Sequence, residues 1–267
     1  MIINGKHIKI RRFSSGEMKL TYADLVEPYK SLGANILYEG EESVFELYLI
    51  CSFLRENGIK TKLTLSYLPY QRMDHSNNIE APTLDYVAKL FNSLKLDEIA
   101  ICEPHCSLEK FVNAKAINIV KRIFDIFKRE IEFDINDTVI FTDKGSKNRY
   151  STLHKNNVYF QKVRDPKTGL IIRHEMVGKI LSNKVVIFDD IISSGDTIMS
   201  CLEMLPKELE IYIICAHFEK NKYNLRLFDD ARVKKVYASN SLSKRGNKKL
   251  KLFSVEDLIC DGRNNKD

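Results

Sequence analysis

Asp189 and Asp190 stand side by side after the apolar run Val185–Phe188, and Ser193, Ser194, Gly195, Asp196 and Thr197 follow closely. Two adjacent carboxylates at the end of a buried strand repel, so something must offset them, and the vicinal hydroxyls of a sugar can do so by donating hydrogen bonds. The loop behind them runs into a helix expected to begin near Thr197. Its backbone N–H groups, three hydroxyls and the positive end of the helix dipole all favour a phosphate. Gly195 lets the main chain come close to that group. A ribose carrying a 5-phosphate satisfies both halves of the stretch.

Such a loop must be held beyond the carboxyl end of a strand, and the rest of the chain supplies strands of the right kind. "KTKLTLSYLP" and "LDEIAICEP" read as strands, and "LDYVAKLFNSL" between them has apolar positions at i, i+3, i+4 and i+7, a β-α-β unit. Further on, "DTVIFTD", "NVYFQKV", "KVVIFDD", "EIYIICAHF" and "VKKVYAS" read as strands and "DTIMSCLEMLP" as a helix. Strands that are continuously apolar are buried on both faces, which predicts an α/β fold of mainly parallel sheets flanked by helices. A boundary is expected near "EIEFDIND", dividing the chain into domains 1–133 and 134–267. In open parallel sheets ligands sit beyond the carboxyl ends of the strands, where the paired carboxylates fall.

Composition narrows the classes. The chain has 267 residues, 44% of them hydrophobic, enough for two domains with cores of their own. No run reaches the ~18 apolar residues of a spanning helix, and the first residues lack the apolar centre of a signal peptide, so a cytoplasmic protein without a membrane partner is expected. Cysteines at 51, 102, 106, 201, 215 and 260 lack the dense even spacing of a disulfide framework and read as reduced thiols. "CEPHC" contains zinc-competent residue types, but no second ligand pair lies at finger-like spacing. The net charge of +6 suits an anionic ligand. Much of the excess lies in "KRGNKKLK", residues 244–251, which has no interleaved aromatic residues and reads as a solvated turn rather than a nucleic-acid surface.

Several segments resemble the ribose-phosphate pyrophosphokinases, the PRPP synthetases. The 189–197 stretch is similar to the ribose-phosphate loop of the type I phosphoribosyltransferase fold. "RRFSSGEMKL" resembles the family's F-S-D-G-E element. "YQRMDHSNNIEAP" resembles Y-A-R-Q-D-R, with the same step from Asp74 to Pro82. "CEPHCSLEKF" is similar to D-L-H-A-x-Q-I-Q-G-F-F, "TDKGSKNR" to P-D-x-G-G-x-K-R, and "QKVR" to the K-x-R of the catalytic flexible loop.

The resemblance implies two phosphoribosyltransferase-like domains and transfer of the β,γ-diphosphoryl group of ATP to the anomeric hydroxyl of a ribose 5-phosphate unit, releasing AMP. It implies Mg2+ held by His105 and Asp143, directly or through waters, because such transfers rest on positioning and charge neutralisation. Lys162 and Arg164 would close over the triphosphate from a loop that contains Pro166 and Gly169. Arg72, Asp74 and His75, with Phe13, Ser15 and Glu17, would meet the base and α-phosphate of ATP. In the family the N-terminal loop reaches a neighbouring subunit's site, which implies a homodimer or a higher homo-oligomer.

The departures bear on the acceptor. Family members show D-T-x-G-T after the paired Asp, where this chain has Ser193 to Thr197. One sugar contact is lost, and Asp196 replaces a Gly inside the cradle. A carboxylate near a terminal phosphate dianion is repelled by about 1 to 4 kcal/mol at ~4 Å, whereas an esterified phosphate carries one charge and suffers less. ADP-ribose is therefore as open an acceptor as ribose 5-phosphate, and relatives that make ADP-ribose pyrophosphate serve phage pathways that rebuild NAD. Equally, Asp196 could turn outward or cap the helix, and nothing about acceptor size would follow. Met73 stands where the family has Gln, and Glu103 where it has Asp. "GANILYEGEESVFELYLICSFLRENG" replaces a strand end and long helix of the family, so allosteric phosphate or nucleotide sites are expected to be missing. A simple phosphoribosyltransferase and a non-catalytic subunit on the same fold are the rival readings.

Overall fold

The computed structural model describes residues 1–40, 43–76, 80–164, 171–219 and 225–260, and for 162–164 and 171–174 the backbone alone. By its contacts the chain forms two units, Met1–Asn118 and Ile119–Asp267.

The first unit opens with the short strands β1 (Ile2–Ile3) and β2 (Lys6–His7) and the turn of helix α1 (Tyr22–Leu25). It continues through β3 (Ala34–Tyr38), α2 (Val44–Glu56), β4 (Thr61–Leu65), α3 (Thr83–Ser93), β5 (Glu98–Cys102) and β6 (Ala114–Ile117). The strands form one sheet in the order β2-β1-β3-β4-β5-β6, with β3 to β6 parallel. Helix α3 buries Leu84, Val87, Ala88 and Phe91, the stripe its sequence spacing predicts. Helix α2 starts with a capping box: Ser43 Oγ accepts from Glu46 N at 3.0 Å, and the Glu46 carboxylate accepts from Ser43 N at 3.3 Å.

The second unit begins with α4 (Ile119–Ile131). It runs on through β7 (Thr138–Phe141), α5 (Lys144–Tyr150), β8 (Asn157–Arg164), β9 (Ile171–Val177), β10 (Lys184–Ile192), α6 (Asp196–Met204), β11 (Glu210–Phe218), β12 (Val233–Ser239), β13 (Leu250–Phe253) and α7 (Val255–Cys260). Its sheet order is β13-β12-β11-β10-β7-β8-β9, parallel except for the antiparallel β8–β9 pair. Both sheets are thus mainly parallel, as the continuous apolar strands predict.

The break between units falls before α4, earlier than the 133/134 boundary expected from sequence. The apolar stripe of α4 finds its partners in later strands: Phe127 lies 5.3 Å from the rings of Tyr212 and Tyr237, and Phe124 lies 4.9 Å from Phe188. The basic run 244–251 is likewise not wholly a turn. Leu250 and Lys251 begin β13, where Leu250 pairs with Val236, and Lys251 Nζ reaches Glu130 on α4 at 2.5 Å.

Only the first three residues of β8, Asn157 to Tyr159, pair with β7. From Phe160 to Arg164 its partner is β9, so the hairpin leaves the sheet as a two-stranded ribbon. Gly178 follows β9 at the foot of that ribbon with φ +113°, and a Cβ there would lie 2.7 Å from Val158 Cγ1. No helix among the described residues is long and apolar enough to cross a membrane.

Candidate active site

In the second unit β7 leads outward to β8, while β10 leads the other way to β11 and β12, so the topology switches direction between β7 and β10. Asp143 directly follows this part of β7 and Asp189 and Asp190 lie on β10. A crevice opens at such a switch point, beyond the carboxyl ends of the strands. Strand propensity and two-sided burial of β10 thus deliver the paired carboxylates to the place where a ligand is received.

Both carboxylates are buried, at 8% and 5% exposure, and the structure shows how their repulsion is met. Arg149 Nη1, from the last turn of α5, donates to Asp190 Oδ2 at 2.9 Å. The Asp190 N–H donates to Asp189 Oδ1 at 2.9 Å, and the Ile191 N–H to Asp190 Oδ1 at 3.0 Å. Burial first, and then the Asp190 carboxylate beside it, hold the Asp189 carboxyl well above the usual carboxylate range, with Asp143 adding to the effect. The pair is therefore asymmetric: the Asp190 carboxylate is met by Arg149, whereas burial beside Asp190 disfavours ionisation of Asp189.

The cradle forms as expected, with one shift in register. Helix α6 begins at Asp196 rather than Thr197, and its N-cap is Gly195, at φ +83° and ψ +1°. No side chain caps the helix, and the Asp196 N–H reaches Ser194 Oγ only at 3.5 Å. Asp196 is not a cap; it is exposed in the first turn, as are Ser194 and Thr197. Ser193 Oγ donates to Glu219 Oε2 at 2.7 Å. A Cβ on Gly195 would meet Leu227 Cδ2 at 3.2 Å and Leu225 Cδ1 at 3.4 Å in a backbone conformation that L residues avoid. Gly195→Ala is expected to cost about 1–2 kcal/mol of stability, measured as a lower denaturant midpoint with an unchanged slope.

Asp143 caps α5: its Oδ1 accepts from the Ser146 N–H at 2.7 Å. Ser146 Oγ in turn donates to the Phe188 carbonyl at 3.1 Å, tying the start of α5 to β10 just before the paired carboxylates. Lys162 and Arg164 lie on β8, their backbones paired with His174 and Ile171 on β9. Their side chains, and the loop with Pro166 and Gly169, lie outside the described residues.

The first unit gathers the other expected residues. The segment after β4 carries Arg72, Asp74 and His75, and the one after β5 carries His105, so both lie at carboxyl ends of neighbouring parallel strands. Two side chains join these segments. Gln71, 1% exposed, accepts the His105 N–H through Oε1 at 2.8 Å, and Lys110 Nζ donates to the Asp74 carbonyl at 3.1 Å. His105, Arg72 and His75 are exposed, whereas Glu103 is buried beneath them with φ +42°. His75 Nε2 lies 3.5 Å from Asp74 Oδ2.

The Phe13–Glu17 segment is a tight turn: the Phe13 N–H donates to the Glu17 carbonyl at 2.9 Å and Ser15 Oγ to Glu17 Oε2 at 2.8 Å. Arg12 anchors the turn on Glu46 at 2.6 Å, at the start of the helix following β3, on the same side of the sheet as the other two segments. Phe13 is left 53% exposed.

His105 belongs to the first unit and Asp143 to the second. Among the described residues no group of three His, Cys, Asp or Glu side chains is arranged to hold a metal. That includes "CEPHC", where Cys102 is buried and His105 exposed. Arg149, Glu219, Gln71 and Lys110 are the residues of this region to which sequence reasoning assigned no role. Three of them lie within or beside quoted motifs, but Glu219 carried no signal beyond following a strand.

Fold and site together define an α/β protein of two phosphoribosyltransferase-like units. No protein-family model matches the chain. It is similar to the ribose-phosphate pyrophosphokinase of Saccharolobus solfataricus, 28% identical over 175 residues, an alignment covering 62% of this chain and 60% of that protein. The Thermococcus kodakarensis ribose-phosphate pyrophosphokinase is 26% identical over 220 residues, covering 79% and 77%. That of Methanobrevibacter smithii is 23% identical over 280 residues, covering 96% and 92%. Among solved structures, the phosphoribosylpyrophosphate synthetase of Mycobacterium smegmatis has the same fold, with TM-score 0.74 at 19% identity over 95% of this chain and 88% of that one. The chain is a relative of the ribose-phosphate pyrophosphokinases, as its motifs suggest.

Proposed function

We propose that the protein transfers the β,γ-diphosphoryl group of ATP to the anomeric hydroxyl of a 5-phosphorylated ribose and releases AMP. The observation that carries this reading is the placement of Asp189 and Asp190 at the switch point, with four residues between them and the glycine that caps the start of α6. The similarity to ribose-phosphate pyrophosphokinases supports it.

Asp190, held in place by Arg149, accepts hydrogen bonds from the sugar hydroxyls alongside Asp189. The N–H groups opening α6 and the hydroxyls of Ser193, Ser194 and Thr197 take the 5-phosphate. Arg72, Asp74 and His75, with Phe13, Ser15 and Glu17, hold ATP. Lys162 and Arg164 neutralise charge as the diphosphoryl group moves. Mg2+ would be held by His105 and Asp143 and would screen the phosphate oxygens. Of the two, the Asp143 carboxylate is an oxygen donor of the kind that ion takes, the rest of its shell being filled by phosphate and water. The exposed Phe13 turn is the surface through which a second copy would complete the nucleotide site, giving a homodimer.

The acceptor is either ribose 5-phosphate or ADP-ribose. Asp196 is exposed in the first turn of α6 and is not used as a cap, so its position leaves both acceptors open. The test is to incubate the purified protein with ATP, Mg2+ and each acceptor, following AMP release and the phosphorus NMR of the product. A new diphosphoryl resonance with AMP is expected. Activity solely with ribose 5-phosphate would remove ADP-ribose, and no AMP with either acceptor would sink the proposal.

A further inference from the structure

The sheet register brings a second carboxylate to the cradle. Ile192, the last residue of β10, pairs with Phe218, the last of β11, and the Glu219 N–H donates to the Ile192 carbonyl at 2.9 Å. The two chains therefore leave the sheet side by side, with Ser193 beside Glu219. There the Ser193 hydroxyl donates a hydrogen bond to Glu219 Oε2 at 2.7 Å. A hydroxyl so committed cannot donate to a phosphate oxygen unless Glu219 lets go.

The cradle thus loses one donor and gains one negative charge on this side. Asp196 contributes another, exposed in the first turn of α6. A terminal phosphate has three free oxygens and close to two charges to satisfy, whereas a phosphodiester has two free oxygens and one charge. Fewer donors and flanking carboxylates penalise the former more heavily.

We infer that Glu219, held at the cradle by Ser193, is a specificity-determining residue that selects a ribose whose 5-phosphate is esterified over one whose phosphate is terminal. The inference rests on the pyrophosphokinase reading and adds to it the residue that chooses between the two acceptors. Glu219 acts through charge and by occupying Ser193, so removing the charge while keeping the hydrogen-bond acceptor isolates its effect. Glu219→Gln does this, since the Gln carbonyl can still accept from Ser193.

AMP release is followed for wild type, Glu219→Gln and Asp196→Asn with ribose 5-phosphate and with ADP-ribose as probes. Each variant is expected to raise kcat/KM for ribose 5-phosphate about tenfold relative to that for ADP-ribose, through KM rather than kcat. An unchanged ratio in Glu219→Gln overturns the inference while leaving the pyrophosphokinase reading intact. Should wild type release no AMP with either acceptor, the pyrophosphokinase reading fails. Calorimetric binding of the two probes to wild type and Glu219→Gln then decides the role of Glu219: a tenfold relative gain for ribose 5-phosphate supports it, and equal changes refute it. Asp196→Asn, at an exposed position, keeps the charge argument testable if Glu219→Gln does not fold.

Discussion

Replacing Asp189 with Asn is expected to give a protein that melts at a higher temperature at neutral pH yet turns over about a hundredfold more slowly. Burial and the adjacent Asp190 raise the carboxyl of Asp189 in the folded chain above its unfolded value of 3.8. Between those two values the native state binds more protons than the unfolded state, so stability falls as pH rises. It is fully present below the unfolded value and is lost by the time pH passes the folded one. Asn carries no such charge, so the variant should lack this loss, and the stability difference should grow as pH rises from the unfolded value of 3.8 towards the raised folded one. Catalysis moves the other way, because the Asn amide places an NH2 donor where an oxygen of the Asp189 carboxyl stands, and that group cannot accept from a sugar hydroxyl. Denaturation across that pH range, with AMP release at neutral pH, reads both effects. Equal pH slopes in the two proteins, or full turnover in the variant, would contradict the account. Asp190→Asn should behave differently, since it removes the charge that Arg149 meets at 2.9 Å and is expected to destabilise at neutral pH.

Loss of either cation of the β8 ribbon is the second large effect. Lys162→Ala and Arg164→Ala are each expected to lower kcat by about a hundredfold or more while changing KM for ATP much less. The reason is where the charge appears. The triphosphate is already screened in the ground state, and new negative charge collects on the bridging oxygen only as the bond to the β-phosphorus breaks, so a nearby cation lowers the barrier more than it tightens binding. Exchange of Arg164 for Lys should recover only part of the loss, since a point charge does not reproduce two parallel N–H donors. Steady-state and single-turnover AMP release would separate the chemical step from product release. Turnover within about threefold of wild type in both alanine variants would remove these residues from the reaction.

What could be read from the chain and what could not divides along a physical line. Local pattern was enough for α3, whose buried Leu84, Val87, Ala88 and Phe91 repeat with the helical period, and for β10, whose apolar run is continuous. The paired carboxylates and the glycine-capped loop were legible because their chemistry lies within nine residues of chain, Asp189 to Thr197. Features that depend on distant partners were not. The pairing of Arg149 with Asp190 spans 41 positions and that of Ser193 with Glu219 spans 26, and both exist only once parallel strands are in register. Strand β9 is broken by the polar run Arg173, His174, Glu175 and is held by antiparallel pairing to β8, so it lacked the signature of its continuously apolar neighbours. Helix α4 was assigned to the wrong unit because its amphipathic stripe states that a face is buried, without saying against what.

The hairpin of β8 and β9 has a mechanical corollary. Lys162 and Arg164 sit on an arm gripped at its base, where β7 pairs with Asn157 to Tyr159, Gly178 nests against Val158 and Phe160 is buried in the core, and beyond that base the ladder partner of β8 is β9. From Phe160 to Arg164 the arm is about 13 Å long, so a tilt of ~10° at the grip carries its tip through ~2 Å. Reorienting it breaks no ladder bond of the central sheet. A pivot of the arm would thus carry the backbone of residues 162 and 164 by leverage while the strands of the central sheet keep their register.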